Sequence, residues 1–209
     1  MKRNKDKTIE RILKVALEHF SQKGYEGARI DEIAEESGFN KATIYYHIGD
    51  KETLYKTTLT KMFTEIAKNI RANIDKEETV HDKLLMFIRT LHRMKHRYPH
   101  FPPTVMREFA SKGERLTDEI LVCIYKIVSL FVEIIELGMA QGVFRKVNPF
   151  MLYTTVIGSS VIIHTGYPVF LDAQERGIFD GSSIPPFDPE ITSEIIYDFL
   201  IKSLENNNV

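Results

Sequence analysis

Apolar residues recur at helical spacing along almost the whole chain, and the two-residue alternation of a strand is nearly absent. Ile9, Ile12, Leu13, Ala16, Leu17 and Phe20 make a first helical stripe that Gly24 stops. Ile30, Ile33 and Ala34 make a short second stripe, closed by Ser37 and Gly38. Asn40 suits the N-cap of a third helix, with Phe39 and Ile44 at staple positions around it. Ile44 and Ile48 give that helix one apolar side before Gly49 ends it. Asp50 caps a longer fourth helix striped by Tyr55, Leu59, Met62, Phe63, Ile66 and Ile70. The run DKEETVHDK leads into a fifth helix carrying Leu84, Phe87, Ile88 and Leu91, which Tyr98-Pro99 closes. Pro102-Pro103 start a short sixth helix reaching about Ser111. A seventh, apolar nearly all round, spans about 117–140, an eighth about 149–170, and a last one carries Ile191, Ile195, Ile196, Phe199 and Leu200. The segment DAQERGIFDGSSIPPF between the last two reads as a loop.

The fold class is therefore all-α, with about nine helices in two parts: three short helices in residues 1–50, then a bundle of longer helices in 51–209. Helix 2, its turn and helix 3, about 29–48, have helix-turn-helix spacing. Ala34 is small where the two helices approach, and Gly38 is free to turn left-handed. With Ile44 and Ile48 inward, Lys41, Ala42, Thr43, Tyr45, Tyr46 and His47 are left outward. Lysine and tyrosine hydroxyls reach phosphates, while short Ala and Thr side chains let a helix settle into a major groove and touch thymine methyls. Lys51, at the start of helix 4, is placed for a second phosphate. The partner these residues fit is double-stranded DNA.

Composition narrows the alternatives. The formal net charge is −1, so any nucleic-acid contact comes from a local patch such as KRNKDK at residues 2–7, four cations against one acid. A single cysteine, Cys123, cannot form an intrachain disulfide or a multi-thiolate zinc site and fits a reducing cytoplasm. No apolar h-region follows the N-terminus, so no secretory signal is expected. Residues 149–170 carry no formal charge, but Thr154, Thr155, Ser159, Ser160, His164 and Thr165 interrupt them, and they read as a buried helix rather than a membrane span.

The residues from Thr8 to Lys61 resemble the N-terminal domain of the TetR/AcrR transcriptional regulators. The resemblance runs through Ile12, Leu13, Ala16, Phe20, Gly24, Tyr25, Ile33, Ala34, Gly38, Ile44, Tyr45, His47, Lys51, Glu52 and Leu54. It implies that Tyr45, Tyr46, His47 and Lys51 contact DNA backbone or bases, and that Lys41 lies at a variable, base-reading position beside Asn40. Departures are Ala42 for the common Gly, Ile48 for the usual Phe, and Ala28-Arg29 for the usual Thr/Ser cap of helix 2. The resemblance further implies a homodimer built on the last two helices. It also implies a repressor, released from a palindromic operator by a small effector.

An apolar or aromatic effector pocket can draw on Phe87, Phe101, Met106, Phe109, Tyr125, Phe131, Tyr153, His164 and Tyr167. His92, His96 and His100 have metal-ligand spacing, but Pro99 and the surrounding Arg89, Arg93, Lys95 and Arg97 argue for a basic helix end instead, so no metal or cofactor is expected. No base and nucleophile pair is identifiable, and an enzyme is not the favoured reading. An enzyme or metal protein built on a helical bundle is the alternative class. Salt-dependent binding to a short palindromic duplex separates the two.

Overall fold

A computed structural model describes residues 2–178, 180 and 187–205. Among them are nine helices and no strand: α1 (Lys2–Gly27), α2 (Ile30–Ser37), α3 (Lys41–His47), α4 (Lys51–Ile74), α5 (Val80–Arg97), α6 (Phe101–Ala110), α7 (Asp118–Ala140), α8 (Pro149–Glu175) and α9 (Pro189–Leu204). The chain divides into two compact units, Met1–Glu65 with Pro103–Ile124, and Ile66–Pro102 with Tyr125–Val209. The division passes within α4, α6 and α7, so three helices contribute residues to both units.

In the first unit, Ile12, Ala16 and Phe20 of α1, Ile33 of α2, Ile44 of α3 and Leu54 and Leu59 of α4 are at most 1% exposed. Each of the larger side chains, Ala16 aside, contributes roughly 1.5–3 kcal/mol by leaving water. Gly24 has φ 69 and interrupts α1, as its place in the sequence predicts. The guanidinium of Arg107 on α6 then reaches the freed carbonyls at this helix end, donating to Ser21 O and Gln22 O at 3.2 Å each. A Cβ at Gly24 would stand 3.2 Å from the Arg107 side chain, so the glycine serves both the backbone turn and the approach of α6. On the next residue of α6, Glu108 is buried and accepts a hydrogen bond from the Tyr55 hydroxyl of α4. Burial, reinforced by Glu108, holds the Tyr55 phenol far above its ordinary range. Neighbouring residues of one short helix thus grip both α1 and α4.

In the second unit α9 packs chiefly on α5. The joint is polar. His92 of α5, fully buried, places Nδ1 2.8 Å from Ser193 Oγ of α9 and Nε2 3.0 Å from Ser160 Oγ of α8. Each serine hydroxyl also lies within bonding distance of the carbonyl four residues earlier, Ser160 to Val156 O at 2.7 Å and Ser193 to Pro189 O at 2.5 Å. A neutral imidazole has one N–H, so one serine must turn its proton from its own helix to the ring. His92 is therefore a core residue and not the solvated member of a basic helix end that the His92, His96, His100 spacing suggested. The His96 side chain lies outside the described residues.

Two expectations about α8 change. It continues through Pro168 to Glu175, five residues past the expected end, so the DAQE of the supposed loop is helical; residues 179 and 181–186 of that loop lie outside the described residues. Nor is it a buried helix. It buries Tyr153, Val156, Ser160, Val161 and His164, but leaves Met151, Ile162 and Val169 more than half exposed. By length and composition alone it could cross a membrane. Its hydroxyls are turned back onto its own carbonyls, Thr155 to Met151 O at 3.0 Å and Thr165 to Val161 O at 2.8 Å, which is how an apolar helix hides polar side chains.

The His92 node yields a pH prediction. Burial first, and His164 second, hold its pKa down to about 4, below the 6.5 of an exposed histidine. The unfolded chain therefore binds a proton that the folded chain refuses between those values. Stability is complete above pH 6.5 and falls as pH drops toward 4, by about 3 kcal/mol from this group. Urea unfolding of wild type and His92→Gln at fixed protein concentration checks this: the variant should start less stable at pH 7.5 and lose markedly less stability on acidification. Parallel pH profiles would contradict the assignment.

Candidate nucleic-acid interface

Seven residues make a helix too short to persist alone, so α3 depends on its ends and its anchor. Asn40 supplies the N-terminus: its Oδ1 accepts from the Thr43 backbone N at 2.8 Å and from Thr43 Oγ1 at 2.9 Å. The Asn40 oxygen and the Thr43 hydroxyl are thereby committed to the cap, and what Thr43 offers outward is its methyl. Gly38, at φ 75, turns the chain out of α2, with Gly38 N bonded to Glu35 O and Phe39 N to Ala34 O. Ile44 is the anchor at 0% exposure; Ile48 lies at the C-cap of α3 and is only half-buried, so the apolar side expected of two isoleucines is essentially one.

With Ile44 inward, Lys41, Ala42, Tyr45 and Tyr46 stand exposed and Thr43 and His47 half-exposed. Tyr46 is 84% exposed, an extreme value for a tyrosine, and its ring is edge-on to His47 at 5.0 Å. Arg29 is the N-cap of α2, makes no side-chain cap bond and is exposed, as the missing Thr/Ser cap implied. Lys51 opens α4; its Nζ donates to Glu26 O at 3.2 Å and sits 4.7 Å from the Tyr25 ring centroid. Arg115 lies against the same ring at 4.0 Å and pairs with Glu26. Lys41 is held by Asp31 of α2, its Nζ 2.9 Å from Oδ1 and 3.1 Å from Oδ2. That contact holds the Lys41 ammonium above the usual lysine range. The KRNKDK segment is the helical beginning of α1, with Lys5 and Lys7 exposed.

Of the nine residues expected to line an effector pocket, Met106 and Phe109 fall in the first unit and the other seven in the second. Phe87, Phe131 and Tyr153 form an aromatic ladder in the second unit, with centroids 5.2 Å and then 5.8 Å apart. Burial pushes the Tyr153 phenol up to about 12. His164 and Tyr167 flank Phe187 at 4.9 Å and 6.0 Å, and Phe101 is buried. Met106, Phe109 and Tyr125 instead stand 39%, 59% and 69% exposed, because they fall on the outer faces of α6 and α7. A cleft of about 180 Å³ in the first unit is walled by Tyr25, Tyr55, Arg115, Thr117 and charged neighbours, and none of the nine lines it. Periodicity could not reveal Glu108, Arg107, Asp31 or the His92 node, since each is defined by a partner distant in sequence. The one available signal was the departure of polar residues from solvent-facing positions, as with Ser160 amid an apolar run.

Residues 12–58 match the model of the bacterial regulatory proteins of the tetR family. The transcriptional repressor NicS of Pseudomonas putida is 30% identical over 145 residues, 67% of each chain. IcaR of Staphylococcus aureus, a negative transcriptional regulator of a biofilm operon, is 33% identical over 79 residues, 38% of this chain and 42% of its own. The fold is shared with FadR of Bacillus halodurans, at TM-score 0.75 and 17% identity over 94% of this chain and 99% of that one. It is shared also with FadR of Bacillus subtilis in complex with stearoyl-CoA, at TM-score 0.74 and 16% identity over 92% and 97%. A capped α3 pinned by one isoleucine, carried on this nine-helix frame with these relatives, makes the chain a member of the TetR family of DNA-binding transcriptional regulators.

Proposed function

We propose that the protein is a homodimeric repressor whose residues 1–50 read a palindromic operator and whose residues 51–209 bind an apolar or aromatic effector that releases it. The observation that carries the DNA half of this reading is the exposure of Tyr46 and its neighbours on a helix whose opposite side is buried. The contact set is Arg29, Asn40, Lys41, Ala42, Thr43, Tyr45, Tyr46, His47 and Lys51, with Asn40 acting first as the cap. Two repressors among the relatives support the direction of control. A like fold holding stearoyl-CoA supports an effector with a large apolar part.

The dimer reading rests on unpartnered apolar stripes. Ile191, Ile195 and Phe199 recur every four residues on α9 and are 55%, 58% and 73% exposed. On α8, Met151 and Ile162 flank Gly158, where an added Cβ would meet nothing within 4 Å. Monomers rarely leave such patches open, and a second copy covers both at once by two-fold symmetry. One helix-turn-helix reads a half-site, so the pair also supplies the second reader. The same argument assigns the apolar character of α8 to a protein interface rather than a membrane.

Switching requires that the effector bind one conformation better than another. The element we assign to this is α6, because Arg107 holds the end of α1 and Glu108 holds Tyr55 of α4, so a moved α6 takes both supports of α3 with it.

Three measurements test these statements. Tyr46→Ala and Lys41→Ala should weaken binding to a duplex selected from random DNA by about 1–3 kcal/mol each while leaving the melting temperature in place. Ile44→Ala should instead lower the melting temperature first, at a cost of about 2–5 kcal/mol. Unchanged affinity in both surface variants would remove α3 from the groove. Sedimentation at micromolar concentration should show a dimer for wild type and a monomer for Ile195→Asp; a wild-type monomer that binds DNA tightly as one copy would refute the assembly. For switching, acyl-CoAs and aromatic acids are screened for thermal stabilisation, and a hit is tested on Arg107→Ala. The variant should keep the hit's affinity but lose its release of DNA. Loss of effector binding in Tyr46→Ala would mean direct competition and would exclude a route through α6.

A further inference from the structure

The helix-turn-helix is poorly equipped for an electrostatic binder. Residues 28–51 carry three basic and five acidic side chains, and residues 1–50 as a whole carry nine of each. Of the three bases, Lys51 is engaged with Glu26 O and the Tyr25 ring, and Lys41 is chelated by both carboxylate oxygens of Asp31. Asp31 sits in the first turn of α2, where its charge also suits the helix dipole, and its side chain is 72% exposed on the side from which Lys41 projects. Lys41 is the first residue of α3, the end from which a recognition helix reads base edges.

We propose that Asp31 is a specificity-determining residue: it holds the Lys41 ammonium for a neutral acceptor pair on a base edge and against the phosphate backbone. An ammonium has three N–H donors. It can keep one on Asp31 and give two to a base edge such as guanine O6 and N7, because a neutral base does not repel the carboxylate. A phosphate in the same place would bring a second anion against Asp31, and the lysine would have to leave one for the other. Sequence-independent binding is the phosphate term, and specific binding adds the base term. Asp31 therefore suppresses the first more than the second. It raises discrimination by weakening the background.

The proposal rests on DNA reading by α3, and its test keeps the two apart. Wild type, Asp31→Asn, Lys41→Ala and the double variant are titrated by fluorescence anisotropy against a duplex that wild type has selected from random DNA, and against a scrambled duplex of the same composition, at 50–200 mM salt. If wild type does not prefer its selected duplex, the reading of α3 and this proposal fall together. With that preference in place, Asp31→Asn should bind the scrambled duplex more tightly. Its log–log salt slope should steepen by about 0.9, the value for one more phosphate neutralised. The ratio of selected to scrambled affinity should fall about tenfold, within the range of one lost base discrimination. In the Lys41→Ala background the same substitution should leave the ratio and the slope unchanged. An unaltered ratio in Asp31→Asn overturns the proposal. So does an effect that persists without Lys41, which would place Asp31 itself on a base or reduce it to a general repulsion.

Discussion

Everything at the DNA-facing end depends on one buried side chain. The seven residues of α3 form fewer intrahelical bonds than an isolated helix needs, and only Ile44 is buried among them. That single anchor fixes the rotation of the helix about its axis. Lys41, Ala42, Tyr45 and Tyr46 face outward because Ile44 faces in, and the Asn40 cap fixes where the helix begins. A recognition surface with one point of attachment is easily reoriented by its supports. Those supports are held in turn by α6, through Arg107 on the end of α1 and Glu108 on Tyr55 of α4.

Charge is used differently from packing. The interface carries no basic excess, and its cations are mostly occupied: Lys41 by Asp31, Lys51 by a carbonyl and a tyrosine face. Surface pairs of this kind add little to stability. Their effect lies in what they make available, which is a small set of oriented donors and two exposed tyrosines rather than a positive field. The second unit shows a complementary economy. One buried histidine joins three helices through two serines, while the apolar stripes of α8 and α9 stand exposed.

Much of this was legible in the chain. The helix starts follow from Asn40, Asp50 and Pro149, and the turn from Gly38, because caps and left-handed turns are local and their residues few. The outward set on α3 followed from placing Ile44 and Ile48 inward, and it survives although Ile48 is only half-buried. What escaped was non-local. His92 looked solvated because its neighbours in sequence are basic, whereas its neighbours in space are serines contributed by helices 68 and 101 residues away. Nor could periodicity tell Tyr153, which is buried, from Tyr125, which is not, because an aromatic residue on a mostly apolar helix such as α7 has no polar face to mark which way it points.

The account is tested most directly by dimethyl sulfate footprinting of a duplex selected from random DNA. The reagent methylates guanine N7 in the major groove and adenine N3 in the minor groove. With α3 in the groove, wild-type protein should protect guanine N7 in two half-sites whose centres lie about one helical turn, or a whole multiple of it, apart. Protection confined to adenine N3, or none at guanine N7 while the protein is bound, would contradict it.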